Sequence, residues 1–341
     1  MADAAPARLS ELVAGTRALA LVGLAKNTGK TVTLRAILAE HAAAGRAVGV
    51  TSIGRDGERH DVIDARIDKP SIELQAGDLL ASTGALLRES GVAHERIESS
   101  GVRTPLGEVV IARLTEPGAI VLAGPSGAAD ARAVAERMLE LGAEQALIDG
   151  AIDRRAASSP DVADGLLVAT GAVLAEHLDQ VVSRTSDAVE LVRLPRGELD
   201  GEHVALERAL VLNAQPQEIA ALLRKHPHAS TLLIDGALGE RFLEGLLAAR
   251  RERAGRELRL LAADPTHVFL SRRGPRWYAR QGITIEVLRT IELKAITVNP
   301  VAPQSHSFDS RELREAIESA ISGVAVLDVL DSSYLATAPA S

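Results

Sequence analysis

Residues 18–31 read Ala18-Leu19-Ala20-Leu21-Val22-Gly23-Leu24-Ala25-Lys26-Asn27-Thr28-Gly29-Lys30-Thr31, and no other stretch restricts the fold so strongly. The run 18–23 is apolar without alternation and ends in glycine, the pattern of a strand buried on both faces. A polar loop follows. From Thr31 the period becomes helical, with Leu34, Ile37 and Leu38 on one face and Gly45 at the stop position. Ala47 to Ile53 is a second apolar strand, closing on Gly54-Arg55-Asp56-Gly57. Strand, glycine-containing loop, helix and strand make a βαβ unit, which builds a parallel sheet. The expected fold class is therefore α/β.

Residues 60–115 break this pattern. Short β-prone pieces at Ser71–Gln75, Asp78–Ser82 and Glu108–Leu114 lie between turn signals at Lys69-Pro70, Ala76-Gly77-Asp78 and Thr104-Pro105, which predicts a small β-rich insertion. Apolar strands return at Ala119–Ala123, Ala146–Ile148 and Leu166–Ala169. The last two run into Asp149-Gly150-Ala151 and Thr170-Gly171-Ala172, and the carboxyl ends of parallel strands are where α/β proteins bind ligands. The polar stretch Ser183-Arg184-Thr185-Ser186 reads as a linker, dividing the chain into residues 1–185 and a C-terminal α/β half, 186–341. Strand candidates in the second half are Ala209–Leu212, Thr231–Ile234, Val268–Leu270 and Ala295–Val298. Leu147-Ile148-Asp149-Gly150-Ala151 recurs as Leu233-Ile234-Asp235-Gly236-Ala237, which fits a duplication and fits a shared strand-to-turn requirement equally.

The 341 residues leave room for about two domains. Cysteine is absent, which removes disulfides, thiolate nucleophiles, Cys-ligated zinc and iron–sulfur clusters, and fits a reducing cytoplasm. Six aromatic residues are too few to grip single-stranded nucleic acid by stacking, and a net charge of −8 opposes a polyanionic partner. Acidic Asp3 and Glu11 are unlike a secretory leader, and no segment approaches the ~20 apolar residues of a membrane span, so a soluble cytoplasmic protein is expected. Only five of the 38 basic residues are lysine, and two of those five, Lys26 and Lys30, share one loop.

That loop carries the chemistry. A Gly-Lys-Thr at a strand-to-helix junction lets backbone amides wrap phosphates, sets a lysine on the β/γ-phosphates and offers Mg²⁺ a threonine hydroxyl, while the helix N-terminus adds positive potential. Gly23, Lys26, Asn27, Thr28, Gly29, Lys30 and Thr31 are thus candidates to bind ATP with Mg²⁺ on a P-loop NTPase-like parallel sheet flanked by helices. The usual first glycine would fall at Leu24; here it is Gly23, one residue earlier, a spacing that resembles dethiobiotin synthetase and its relatives. Carboxylates for the metal or a catalytic water are Asp56 and Asp149, with Asp235 the runner-up to Asp149. Asp56 reads equally as a turn residue before Gly57. Asn299, in Thr297-Val298-Asn299-Pro300, is a candidate to bond a base edge, or caps a turn before Pro300. The nine histidines are scattered, with no metal signature beyond Mg²⁺. Arg272, Arg273, Arg276 and Arg280 around Trp277-Tyr278 read as a solvated turn or a protein-docking surface.

Five segments together carry a wider resemblance: Gly23 to Thr31, Thr51-Ser52-Ile53-Gly54-Arg55-Asp56-Gly57-Glu58, Thr104 to Ala112, Ile148 to Arg154 and Ile296 to Pro300. The chain resembles the KamB family, proposed reactivating-factor subunits for adenosylcobalamin-dependent lysine 5,6-aminomutase. The resemblance implies a nucleotide-dependent protein that acts with the aminomutase and a MutS-like ATPase subunit, as a hetero- or homo-oligomer, to replace damaged cobalamin. The Asp-x-His-x-x-Gly signature of base-off cobalamin binding is absent, since Asp264-Pro265-Thr266-His267 has the wrong spacing, so the corrin would sit on the partner. The alternatives are an ATP-dependent ligase or kinase on a small carboxylate, like dethiobiotin synthetase, and a nucleotide-binding scaffold without hydrolysis.

Overall fold

The computed structural model describes residues 8–53, 71–151, 155–199, 203–213, 215–250, 257–303, 305–331 and 334. They form a mixed α/β structure in two compact units, residues 1–186 with 292–341, and residues 187–291. Among them no helix is long and apolar enough to cross a membrane.

The first unit opens with a short helix α1 (Leu9–Leu12), then strand β1 (Ala18–Gly23), buried at every position, and helix α2 (Lys30–Ala43). Helix α2 buries Leu34, Ile37 and Leu38 and ends ahead of Gly45 at φ 66°, as the glycine signal predicts. Strands β2 (Val48–Ser52), β3 (Ile72–Leu74) and β4 (Leu79–Thr83) follow, then helix α3 (Gly84–Ser90), β5 (His94–Thr104), β6 (Gly107–Leu114) and β7 (Gly118–Ile120). Helix α4 (Ala128–Glu140) leads to β8 (Gln145–Ala151), β9 (Gly165–Gly171) and helix α5 (Leu178–Val192).

The second unit has its own parallel sheet of β10 (His203–Leu206), β11 (Thr231–Ile234), β13 (Leu258–Ala262) and β15 (Ile283–Val287), in that order. A two-stranded pair, β12 (Leu238–Gly239) with β14 (Val268–Phe269), stands apart from it. Helices α6 (Arg208–Asn213), α7 (Pro216–Lys225), α8 (Glu240–Arg250) and α9 (Pro275–Arg280) accompany these strands. Leu223, Leu232, Ile234, Phe242, Leu246, Leu260 and Ile285 belong to the core of this unit. The chain then re-enters the first unit as β16 (Glu292–Asn299), helix α10 (Ser310–Ala320) and β17 (Ala325–Leu327).

The large sheet has nine strands in the order β17-β16-β9-β1-β8-β2-β4-β6-β5. From β17 to β4 they run parallel, and β6 is antiparallel to both its neighbours. Strand β1 sits between β8 and β9, so the loop after it emerges mid-sheet at the carboxyl edge.

Four expectations change here. The described part of the β-rich segment is no separate insertion: β4 pairs with β2 and carries β6 and β5 as the sheet's edge, leaving β3–β7 as a small pair of its own. The supposed linker 183–186 lies inside helix α5, where Thr185 is buried and its hydroxyl bonds those of Thr170 at 2.7 Å and the Val181 carbonyl at 2.8 Å. The second unit stops at Ile291, so β16 and β17 complete the first sheet instead of belonging to a C-terminal half. Ala209–Leu212, expected as a strand, lies in helix α6, because a four-residue apolar run has no period to tell the two apart.

Candidate functional site

Leu24 extends the β1–β9 ladder by one rung, its N–H donating to Ala169 O at 2.9 Å. The turn therefore starts one residue late, and the glycine falls at 23 for a steric reason. A Cβ on Gly23 would stand 2.5 Å from Thr28 Oγ1 and 3.2 Å from Ala25 O. Thr28, 1% exposed, closes the loop by donating its hydroxyl to Ala25 O at 3.0 Å. Asn27 and Gly29 take positive φ, 67° and 88°, the left-handed region in which successive amides can turn to one side as an anion nest. Helix α2 begins at the next residue, and its first-turn N–H groups have no partner within the helix.

Lys30, the first residue of α2, makes an ion pair with Asp149. The two side chains are 22% and 16% exposed. Asp149 lies on β8 in register with Leu21 of β1 on one side and Ser52 of β2 on the other, two residues before the strand ends. Its neighbour Gly150 is required by packing, since a Cβ there would meet Ala157 Cβ at 2.1 Å. Thr31 is half-buried in the first helical turn, and Lys26 and Asn27 are exposed on the loop.

Asn299 ends β16 and reaches the same loop. Its Nδ2 donates to Asn27 O at 3.0 Å and its Oδ1 accepts from Val301 N at 3.1 Å. The structure thus brings together Gly23, Lys26, Asn27, Thr28, Gly29, Lys30, Thr31, Asp149 and Asn299. Asp56 lies outside the described residues. Asp235 is exposed just beyond β11 in the second unit, whereas Asp149 is the acid on Lys30.

One further loop at this edge, residues 121–127, gave no sequence signal of chemistry. Gly124, ahead of helix α4, donates its N–H to Ser52 Oγ at 3.0 Å, and a Cβ there would meet Ser52 O at 2.1 Å. At the end of β4 nearby in the sheet order, the Thr83 hydroxyl is fully buried without a hydrogen-bond partner. The arginine patch of the second unit is laced with carboxylates. Arg272 faces Glu240 at 3.9 Å and Glu244 at 3.4 Å, Arg276 faces Glu190 at 3.8 Å, and Arg273 lies over the Trp277 ring at 5.0 Å.

The donor set fits a magnesium–triphosphate. A hydroxyl, one carboxylate and phosphate oxygens are the hard oxygen ligands Mg²⁺ takes, and such a site needs only one or two protein carboxylates. Among the described residues no cluster of three or more His, Cys, Asp or Glu could hold a metal by itself, so the phosphates would have to supply ligands. Comparison with known proteins finds no matching family model, no similar curated protein and no similar solved structure.

Proposed function

We propose that this chain is a P-loop protein that binds ATP with Mg²⁺ at Gly23–Thr31. The observation that carries the reading is the Lys30–Asp149 pair at the carboxyl edge of a central parallel strand. The cation suited to the phosphates and the carboxylate suited to the metal already stand against each other at the start of a fourteen-residue helix. On this reading Lys30 would hold the β/γ-phosphates, and the Thr31 hydroxyl and the Asp149 carboxylate would hold the magnesium. The amides of Asn27, Thr28 and Gly29 line the phosphates, and Lys26 adds positive charge at the mouth. Bound Mg²⁺ would neutralise the triphosphate and polarise its terminal group.

The role that this binding serves rests on the resemblance to the KamB family: a reactivating-factor subunit that couples ATP binding or hydrolysis to exchange of damaged cobalamin in an aminomutase, acting with a MutS-like ATPase subunit. Calorimetric titration of ATP·Mg²⁺ into wild type and Lys30→Ala tests the site, and the variant should bind roughly 10- to 100-fold more weakly, the worth of a charge-assisted contact. Unchanged binding by the variant sinks the phosphate-loop reading. ATP turnover stimulated by an aminomutase holding inactive cobalamin supports the reactivase. Turnover that demands a small carboxylate supports the ligase or kinase instead.

A further inference from the structure

The return strand β16 touches the phosphate loop at two levels. Thr297 Oγ1 shares a 2.7 Å hydrogen bond with Thr33 Oγ1 inside the core, and Thr33 Oγ1 also lies 3.2 Å from Gly29 O, the carbonyl at the foot of helix α2. Two residues further, Asn299 Nδ2 donates to Asn27 O at 3.0 Å. A Cβ on Gly29 would come within 3.1 Å of Asn299 Cβ, so the loop lies directly against this side chain. Asn299 is itself fixed. Its Oδ1 accepts from Val301 N, and its backbone pairs with β9 at Gly171, where any Cβ would strike Asn299 O at 2.2 Å.

We infer that Asn299 is a positioning residue for the phosphate loop and not a reader of the base. In a trans peptide the carbonyl and the following N–H point opposite ways, so holding Asn27 O toward Asn299 fixes the Thr28 N–H facing away from it. Asn27 is the one non-glycine at positive φ among the described residues, and the bond from Asn299 holds the carbonyl of that residue. The Asn299 amide already spends one donor and one acceptor on the protein itself. The inference rests on the nucleotide-binding reading.

The two roles separate when the base is removed. Mg²⁺ with ATP and Mg²⁺ with inorganic tripolyphosphate are titrated into the full chain as wild type, Asn299→Ser and Lys30→Ala. Serine can still accept from Val301 N but is too short to reach Asn27 O, so the turn stays while the brace goes. The expected result is a parallel weakening of both ligands in Asn299→Ser, roughly three- to tenfold each, as for one lost hydrogen bond. Weakening confined to ATP, or no weakening of either, overturns the inference. Should Asn299→Ser fail to fold, Asn299→Gln, whose donor sits on a longer arm, is judged by the same parallel loss. Failure of the wild type to bind either ligand, or undiminished binding by Lys30→Ala, defeats the nucleotide reading instead.

Discussion

The pentapeptide Leu-Ile-Asp-Gly-Ala occurs twice, at 147–151 in the nine-stranded sheet and at 233–237 in the four-stranded one, and the two copies do different work. In the first, Asp149 and Gly150 are still within β8, and the aspartate meets Lys30. In the second, β11 has already ended at Ile234, and Asp235 is exposed. The glycines differ in kind as well. Gly150 is needed because Ala157 leaves no space for a Cβ, whereas Gly236 is needed because its φ is 97°. The shared Leu-Ile enters a strand in both copies, and the point at which that strand ends differs between them. What turns one copy into a candidate site is the helix and lysine that the neighbouring β1 delivers.

Substituting the glycines breaks that comparison most strongly. Gly150→Ala drives a methyl into the Ala157 side chain with little freedom to relax, and should cost about 3 kcal/mol, the upper range for overpacking. Gly236→Ala meets the Arg208 side chain at 3.0 Å, which can swing away, and should cost about 1 kcal/mol for its backbone conformation alone. Urea denaturation followed by circular dichroism measures both, and equal losses would refute the distinction. The aspartates come next. Without ligand, Asp149→Asn leaves Lys30 unpartnered by Asp149 in a partly screened position, for a loss of about 1–2 kcal/mol. Asp235→Asn, at an exposed turn, should stay within about 0.5 kcal/mol. Matching effects of the two would mean that the ion pair contributes nothing to the fold.

The central parallel strands were legible in the sequence because burial on both faces leaves unbroken apolar runs. Both β1 and β11 occupy the residues that such runs predict. Strand β5 was not legible: it is an eleven-residue edge, largely polar, interrupted by bulges and by Gly101 at φ 73°. Nor were β13 and β15 anticipated, although their buried positions are aliphatic. The candidate loop could be read from Gly-Lys-Thr, and the reason for the displaced glycine could not, because it depends on where the Thr28 hydroxyl folds back. Asn299 was visible as a strand-end asparagine. Its bond to Asn27 was invisible, because 272 residues and a whole compact unit separate the two.

The smallest effect contrasts how the two units respond to acid. In the first, burial holds the His41 imidazole below its ordinary pKa, although Gln145 bonds it at 3.0 Å. The folded form then resists a proton that the unfolded chain accepts, so this contribution is complete above about pH 6.5 and is lost as pH falls below it. Asp78, which lies close enough to His41 to interact with it, is shifted upward by burial against bonds from Val48 N and Gln75 N. Its effect is opposite, recovering stability as pH falls through its raised value toward 3.8. In the second unit burial also acts to raise Asp264, but bonds from Thr266 and His267 prevail and hold it below 3.8, so its contribution survives until pH falls through that value. Between pH 7 and 5 amide protection factors in the first unit, which correct each exchange rate for its intrinsic pH dependence, should therefore fall, while the emission of Trp277, the single tryptophan, packed against the core of the second, keeps its urea midpoint. His41→Gln should flatten the first response and leave the second alone. If the variant titrates as the wild type does, His41 is not the group that makes the two units differ.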